Sequence, residues 1–309
     1  MSPATLTRLR IALLGAYALV FIWSFSVNGL PVARIAVLSW VGAAFIIGNV
    51  GKPWVKQRQM VLDLLFYAAM WLSYDYSRGI ADTFGMPLQV QAPLNIDRFL
   101  FWGNDPNVWM QHHFWNESIR WYDVVGSIVY FTHFFVPVAT SVYLWIRYRE
   151  QWLRYVRRFA TVLFAGVATY VLLPTAPPWM ASSRYKLLEP LQRTTGRGWR
   201  TLGLDTVNSV LLKGQQWANP TAAMPSLHAA FALFVVVFFW PRMPATWVRY
   251  ASLLFPLSMA LTLVYFGEHY VTDILAGWLY VGLSFWFWSR WEARRSPVPV
   301  ADYGDHPKG

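Results

Sequence analysis

Eight stretches of apolar residues divide the chain and set its predicted architecture. They cover residues 11–30, 33–50, 60–76, 124–146, 159–173, 224–240, 250–266 and 270–289. A hydrocarbon core of about 30 Å needs roughly 20 residues of helix, and the third and fifth stretches are the shortest. Prolines stand at or just beyond four of the stretch ends, where they stop helices: Pro31, Pro53, Pro174 and Pro241. The pattern predicts an all-α integral membrane protein with about eight transmembrane helices.

The polar connections predict the orientation. Eight crossings place the basic connections, above all residues 147–158, on one side, together with both termini. By the positive-inside rule that side is cytoplasmic. The long connections 77–123 and 174–223 then lie outside, and their many aromatic residues predict segments that lie along the interface or cap the bundle. Residues 11–30 lack a signal-peptide cleavage site, so a first transmembrane helix is expected. Residues 291–309, rich in proline and charge, predict a disordered cytoplasmic tail.

Composition supports the membrane prediction. The 309 residues are 56% hydrophobic, 18% aromatic and only 13% charged, with 19 tryptophans. A net charge of +11 would suit nucleic acid in a soluble protein, but these basic residues cluster between apolar stretches, as topology determinants do. No nucleic-acid partner is therefore expected. Cysteine is absent, which excludes disulfides, a thiol nucleophile and thiolate metal ligands.

Titratable residues stand at the outer ends of two of the predicted helices. His269 and Asp273 are four apart at the start of a helical stretch, so their side chains share one face. A carboxylate there can fix the imidazole tautomer and leave the other nitrogen as a nucleophile or base. Ionisable groups within membrane helices are costly and usually functional.

A second histidine follows a helix start. Pro225 suits a first helical turn, and the exposed amides with the Ser226 hydroxyl predict an anion site. His228, beside a bound phosphate, could protonate a leaving oxygen. The alternative is that Pro225 and Ser226 only begin a helix and that His228 is an interfacial residue.

Other classes of site are weaker interpretations. Two histidines and an aspartate could hold a metal ion, but no further ligand cluster with suitable spacing is present. Glu268 directly precedes His269 and so points elsewhere on a helix. A serine hydrolase that uses Ser226 is also a weaker interpretation, because the chain has no Gly-x-Ser-x-Gly elbow around Ser226. No metal or cofactor is therefore predicted. A transporter or lipid scaffold remains an alternative, although transport usually places ionisable groups on broken helices near the midplane.

These residues resemble the membrane phosphatidic-acid-phosphatase type 2 superfamily. Residues 225–228, Pro-Ser-Leu-His, are similar to its Pro-Ser-Gly-His motif, and His269 with Asp273 matches its third motif. Residues 174–179, 223–228 and 269–277 look like the branch that contains inositol phosphorylceramide synthases and their bacterial relatives. The resemblance covers roughly residues 97–289.

The resemblance implies a fold and a mechanism. It implies a six-helix lipid-phosphatase-like core, here residues 60–290, behind two added helices in residues 1–59. His269 would attack phosphorus to give a phosphohistidine, Asp273 would orient it, and His228 would protonate the departing alcohol. The expected partners are a lipid substrate and a polar headgroup acceptor, with the site on the extracytoplasmic face.

The first motif of the superfamily, a lysine followed by Arg-Pro, is missing. Gly166 and Leu173 stand where its lysine and arginine would fall, and Leu263 replaces the arginine six residues before the catalytic histidine. A transferred phosphoryl group needs positive charge nearby. The candidate phosphate- or substrate-binding residues are Ser226, Arg184, Lys186, Arg98 and Tyr270.

The leading hypothesis is a membrane phosphotransferase that acts on a lipid phosphate or phosphodiester and transfers to an inositol-like polyol. Hydrolysis by a lipid phosphate phosphatase is the alternative. His133, inside an apolar stretch, is either a pathway residue or a histidine satisfied by a helix neighbour, and Tyr122 and Asp123 share that ambiguity.

Overall fold

The computed structural model describes residues 2–28, 34–51, 53–79, 81–203 and 219–295. These residues form α-helices, short 3-10 turns and isolated β-bridges. The chain divides into two compact units, residues 1–79 with 196–219 and residues 80–195 with 220–309. The predicted domain boundary at residue 59 stays a prediction, and most of the predicted tail, residues 296–309, lies outside the described residues.

The first unit contains α1 (Pro3–Asn28), α2 (Arg34–Asn49), α3 (Trp54–Gly79) and the 3-10 turn Arg197–Leu202. Helices α1 and α2 pack through aromatic rings near Trp40. The Tyr17 hydroxyl donates to the Trp40 carbonyl over 3.0 Å, and the Phe21 ring meets the Trp40 ring edge-on at 5.0 Å. The first two apolar stretches therefore form a paired hairpin of helices.

The second unit holds the remaining helices. They are α4 (Gln91–Leu100), α5 (Pro106–Phe114), α6 (Trp121–Arg147), α7 (Arg149–Leu172), α8 (Pro178–Ser183), α9 (Leu227–Phe239), α10 (Thr246–Ser252), α11 (Leu254–Tyr265) and α12 (Val271–Arg295). Its 3-10 turns are Ala81–Phe84 and Trp240–Arg242. Helices α6, α7, α9, α11 and α12 form the bundle. Their buried faces meet around Tyr130, Met259 and Phe266.

Five described segments are long and apolar enough to cross a membrane. They are Ala4–Val27, Trp121–Arg147, Arg149–Leu172, Thr246–Tyr265 and Val271–Arg295. Large apolar side chains such as Phe135, Leu261 and Leu279 stay exposed on the bundle, as expected of helices that face lipid. The chain is thus a multi-pass, all-α membrane protein.

The predicted number of eight spanning helices stays a prediction. Helix α9 shows why the count is not simple. It begins at Leu227 rather than at Met224 and has 13 residues, which is about 20 Å at 1.5 Å per residue. A helix of that length is shorter than the hydrocarbon core, and the 3-10 turn Trp240–Arg242 continues directly from its end.

Three extended segments bring the end of α7 to the start of α9. Thr175 forms isolated parallel bridges with Gln89 and with Ala222. The Thr175 amide donates to the Thr221 carbonyl over 2.7 Å, and the Gln89 amide donates to the Pro174 carbonyl over 2.8 Å. These bonds satisfy backbone groups that would otherwise be costly in an apolar setting. They place residues 174–176 beside the Ser226 segment.

Candidate active site

The Ser226 segment is tied to two neighbouring helices. The Ser226 amide donates to the Asp273 carbonyl of α12 over 2.8 Å, and the Tyr170 hydroxyl of α7 donates to the Pro225 carbonyl over 2.9 Å. The Ser226 hydroxyl caps α9 by accepting from the Ala229 amide at 3.3 Å. Serine at this position satisfies one of the unpaired amides of a helix start, so the motif fixes the first turn of α9 against α12.

Gly277 permits this close approach. A Cβ added there would lie 2.4 Å from the Ser226 carbonyl oxygen. Only glycine at this position of α12 lets the backbone of residue 226 pass so near. Because Asp273 is one turn before Gly277, the same contact sets the distance between the Ser226 segment and the first turn of α12.

His269 and Asp273 form a buried pair at the start of α12. The His269 Nδ1 and the Asp273 Oδ2 are 3.3 Å apart. The same carboxylate oxygen accepts from the Tyr270 amide over 3.0 Å. Asp273 is fully buried and His269 is 6% exposed. With Nδ1 directed to Asp273, Nε2 is the nitrogen of His269 left for chemistry.

His228 faces this pair from α9. The rings of His228 and His269 have centroids 5.7 Å apart. His228 also stacks on Tyr130 at 4.7 Å and on His133 at 3.9 Å, both from α6. The structure thus brings together His228, His269, Asp273 and Ser226, as the sequence predicts. It adds His133, whose ring contacts His228 across helices.

Helices α4 and α5 hold the His269 loop in place. The Asn107 side-chain amide donates to the carbonyls of Val264 and His269 over 2.8 and 3.0 Å. The Asp97 carboxylate accepts from the amides of Val271 and Thr272 over 2.9 and 2.8 Å. Asp97 therefore caps α12 from another helix, with a negative charge where a helix dipole favours it. Burial raises the pKa of Asp97 above its usual value, although its bonds to Thr272 oppose that shift.

Arg193 is the basic residue that contacts this loop. Its Nε donates to the Glu268 Oε1 over 2.7 Å and its Nη2 to Oε2 over 3.2 Å, and the Thr195 hydroxyl also donates to Glu268. The guanidinium carbon lies 4.6 Å from the centre of the Trp179 ring. Burial alone would lower the pKa of Arg193, but the charge of Glu268 outweighs it and the pKa is raised. A charged guanidinium is thus bound to Glu268, the residue directly before His269.

The basic residues proposed from sequence lie elsewhere. Arg98 forms a two-point ion pair with Asp105, with Nε and Oδ1 2.8 Å apart. Arg184 and Lys186 are exposed at the end of α8. Tyr270 is 1% exposed and its ring packs with Leu94 and neighbouring apolar residues. The substrate-binding roles of these four residues stay predictions.

Two acidic residues weighed in the sequence have structural partners. Asp123 accepts from the Tyr265 hydroxyl and from the Arg120 amide, each over 2.8 Å, so it caps α6 and links it to α11. Glu268 is engaged by Arg193 and Thr195. Within the described ranges, no group of three or more His, Asp or Glu side chains is arranged to hold a metal ion.

Comparison with known proteins places this arrangement in a family. The model of the PAP2 superfamily matches residues 95–287, which run from within α4 to within α12 and include both histidine segments. The chain belongs to the PAP2 superfamily. No solved structure matches the chain significantly.

Two curated relatives narrow the branch within the PAP2 superfamily. The chain is 29% identical over 233 residues to a phosphoinositol dihydroceramide synthase of Bacteroides thetaiotaomicron, which covers 71% of this chain and 73% of the relative. It is 31% identical over 137 residues to an inositol phosphorylceramide synthase of Candida albicans, covering 38% of this chain and 25% of that protein. The resemblance to the inositol phosphorylceramide synthase branch is confirmed.

Two of the departures from the PAP2 motifs, Gly166 and Leu227, meet in the structure. A Cβ added at Gly166, where the first motif has lysine, would lie 2.9 Å from the Leu227 Cδ2. Leu227 replaces the glycine of the second motif and is 3% exposed. The leucine therefore fills the space that the absent lysine leaves. Cationic groups for a phosphate must come from another part of the chain.

Sequence reasoning missed Arg193, Asn107 and Asp97 as residues of this site. Their contacts with the His269 loop span 75 to 175 positions along the chain, which no local pattern reveals. One signal was present for Arg193. Glu268 stands directly before His269, and a carboxylate within an apolar site requires a cation.

Proposed function

We propose that the chain is an integral membrane phosphotransferase that moves a phosphorus-bearing headgroup from a lipid phosphodiester or phosphate to an alcohol acceptor. Membership of the PAP2 superfamily and the two synthase relatives support an enzyme of the lipid phosphotransferase kind. The observation that carries the mechanism is the buried pair of His269 and Asp273 opposite His228.

The reaction has two balanced steps. The His269 Nε2 attacks phosphorus, the bond from phosphorus to the departing alcohol oxygen breaks, and His228 gives a proton to that oxygen. The acceptor hydroxyl then attacks the phosphohistidine, His228 takes its proton, and the bond from phosphorus to Nε2 breaks. Asp273 keeps Nδ1 protonated and stabilises the imidazole in both steps, which is the role of the third group in a catalytic triad.

Arg193 supplies positive charge to the phosphate in this proposal. Three observations support it. Its guanidinium is bound by Glu268, which directly precedes His269. The guanidinium also lies over the Trp179 ring, which fixes its plane. The Arg193 side chain is 39% exposed, which leaves it accessible to a ligand. A fixed cation at a developing negative charge acts more strongly than one that must reorganise.

The acceptor is a hydroxyl group. An inositol-like polyol is the acceptor expected from the sequence. The names of the relatives join phosphoinositol to a ceramide-type lipid. We therefore expect one substrate of this chain to carry a polyol phosphate and another to carry a lipid hydroxyl group. By the predicted topology the reaction takes place on the extracytoplasmic face, with the termini in the cytoplasm.

A headgroup-transfer assay tests the proposal. Purified protein in phosphatidylcholine vesicles receives phosphatidylinositol labelled at phosphorus, with ceramide, free inositol or no acceptor added. We expect a new labelled phosphodiester that depends on an added alcohol, and none from H269A. Water-soluble labelled phosphate, formed equally with and without an acceptor, would assign the chain to hydrolysis instead.

His228 is tested in the same assay. H228A should slow the first step for a lipid alcohol leaving group, because an alcohol of high pKa departs readily only when His228 protonates its oxygen. A leaving group of low pKa, such as p-nitrophenolate, departs without help, so activity on a p-nitrophenyl phosphodiester should fall much less. An equal loss on both substrates would contradict the role of His228 as an acid.

A further inference from the structure

We propose that the arginine-lined cavity at the end of the bundle opposite the histidines binds the phosphate of an anionic phospholipid. The cavity lies between the start of α7, the end of α9 and the end of α12, and has a volume of about 300 Å³. Its lining includes Arg154, Arg158, Arg242, Glu292, Phe238 and Phe285.

The cavity is separate from the candidate active site. Asp273 and Glu292 are on the same helix, 19 residues apart, which corresponds to about 28 Å at 1.5 Å per residue. Each of α7, α9 and α12 contributes one end to the histidine site and its other end to the cavity. A ligand in the cavity therefore cannot be the reacting group.

The charge of the cavity favours an anion. Its lining has three guanidinium groups and one carboxylate, a net charge of +2. Glu292 is shared, with Arg158 Nη2 at 2.7 Å from its Oε2 and Arg157 Nη2 at 3.2 Å from its Oε1. Arg242 donates to the Phe238 carbonyl over 2.6 Å and to the Gln151 side chain. The lining therefore carries more positive than negative charge, and a bound phosphate would reduce that excess.

One wall of the cavity contains a buried arginine, Arg158, whose position is fixed by several contacts. Arg158 is 5% exposed, and its Nη1 also donates to the Arg154 carbonyl over 3.2 Å. Its guanidinium carbon lies 5.5 Å from the centre of the Phe285 ring. Its Nη1 and Nη2 hold the two Glu292 carboxylate oxygens over 2.9 and 2.7 Å. Arg158 therefore fixes this wall, and Arg154 and Arg242 are the lining arginines expected to meet the phosphate.

The surroundings favour a lipid over a soluble anion. Phe238 and Phe285 give the cavity an apolar wall, and Trp286 and Trp291 are exposed on the same end of α12. Aromatic residues in that position are typical of the level of lipid headgroups. The volume equals that of about ten waters at roughly 30 Å³ each, enough for a phosphate and glycerol backbone. This end is the one predicted to be cytoplasmic, where the leaflet is anionic.

The test measures lipid binding by the full chain in phosphatidylcholine nanodiscs. Phosphatidylglycerol that carries a photoreactive acyl group is titrated, and the labelled peptides are identified by mass spectrometry. We expect saturable labelling of residues 149–158, 237–243 or 285–295. Labelling confined to residues 222–228 and 265–275 would assign the lipid to the histidine site and overturn the proposal.

Matched variants separate a specific site from surface charge. R242Q should weaken binding by roughly tenfold or more, because it removes a charged hydrogen-bond donor to the phosphate and not surface charge alone, and R154Q/R242Q should weaken it further. R290Q removes the same charge from an exposed position on the same end of α12, and it should bind like the wild type. Equal losses of lipid affinity in R242Q and R290Q would mean that the lipid responds only to the general surface potential, which would contradict a specific site.

Two further arms complete the test. Inorganic phosphate in large excess over the lipid should not displace the lipid from wild-type protein, and full displacement would identify a soluble-anion site instead. H269A should label like the wild type. Loss of cavity labelling in H269A would overturn the cavity proposal, whereas loss of transfer activity in H269A concerns only the proposed function, so the two can fail separately.

Discussion

Substitution of Gly277 by alanine probes the contact between the two motif segments. The added Cβ would stand 2.4 Å from the Ser226 carbonyl oxygen and 3.3 Å from its carbonyl carbon. Both atoms are backbone, so no side chain can rotate away. To reach an ordinary contact distance of about 3.4 Å or more, the Ser226 segment must move by roughly 1 Å or more relative to α12.

That movement acts on the chemistry through His228. Ser226 is the cap of α9 and His228 follows it by two residues, while His269 and Asp273 belong to the start of α12. The shift therefore changes the distance between the two histidines by a similar amount. A misplacement of about 1 Å typically lowers a rate by about 10²-fold, so we expect a loss of that size in kcat.

Gly282 provides the matched control on the same helix. A Cβ at Gly282 meets nothing within 4 Å, so G282A changes helix propensity without a steric contact. Both variants are measured in the phosphatidylinositol transfer assay, at a temperature at which size-exclusion chromatography shows each to be folded. If folded G277A turns over as fast as G282A, the close contact does not position the histidines and the reasoning is wrong.

Three other substitutions test neighbouring parts of the site. R193Q should lower kcat/KM by about 10²- to 10³-fold, as removal of a fixed donor to a developing charge does, and R193K should recover part of it; unchanged kcat/KM would exclude Arg193 from phosphate binding. D97N should lower the free energy of unfolding by about 0.5–2 kcal/mol because one acceptor and the charge at the start of α12 are lost, as measured by thermal unfolding in detergent. G166A should cost about 1–3 kcal/mol by overpacking against Leu227, and the cost should shrink in an L227A background; additive costs would show that the two residues do not interact.

The sequence predicts most of the helices of the bundle. Apolar stretches of near-membrane length and terminal prolines are local signals, and each of the eight stretches overlaps a helix of the described chain. The start of α9 differs because Met224 and Pro225 are apolar residues in a bend that precedes the helix. Composition alone cannot tell such a segment from a helical turn.

The catalytic candidates were predictable for a similar reason. His269 and Asp273 are separated by one helical turn, and Ser226 and His228 lie in one short motif, so local spacing identifies each set. The groups that hold them come from distant elements. Asp97, Asn107 and Arg193 reach the His269 loop only through the packing of α4, α5 and the segment after α8.

The central claim is a covalent bond between phosphorus and His269, and an acid-sensitivity trap measures it most directly. Wild-type protein, H269A and H228A are mixed with phosphatidylinositol labelled at phosphorus, denatured in alkaline detergent, and separated from lipid before the label on protein is counted. The account predicts label on wild-type protein that is stable in base and released by acid, and none on H269A. Unlabelled wild-type protein under turnover, or equal label on H269A, would contradict it.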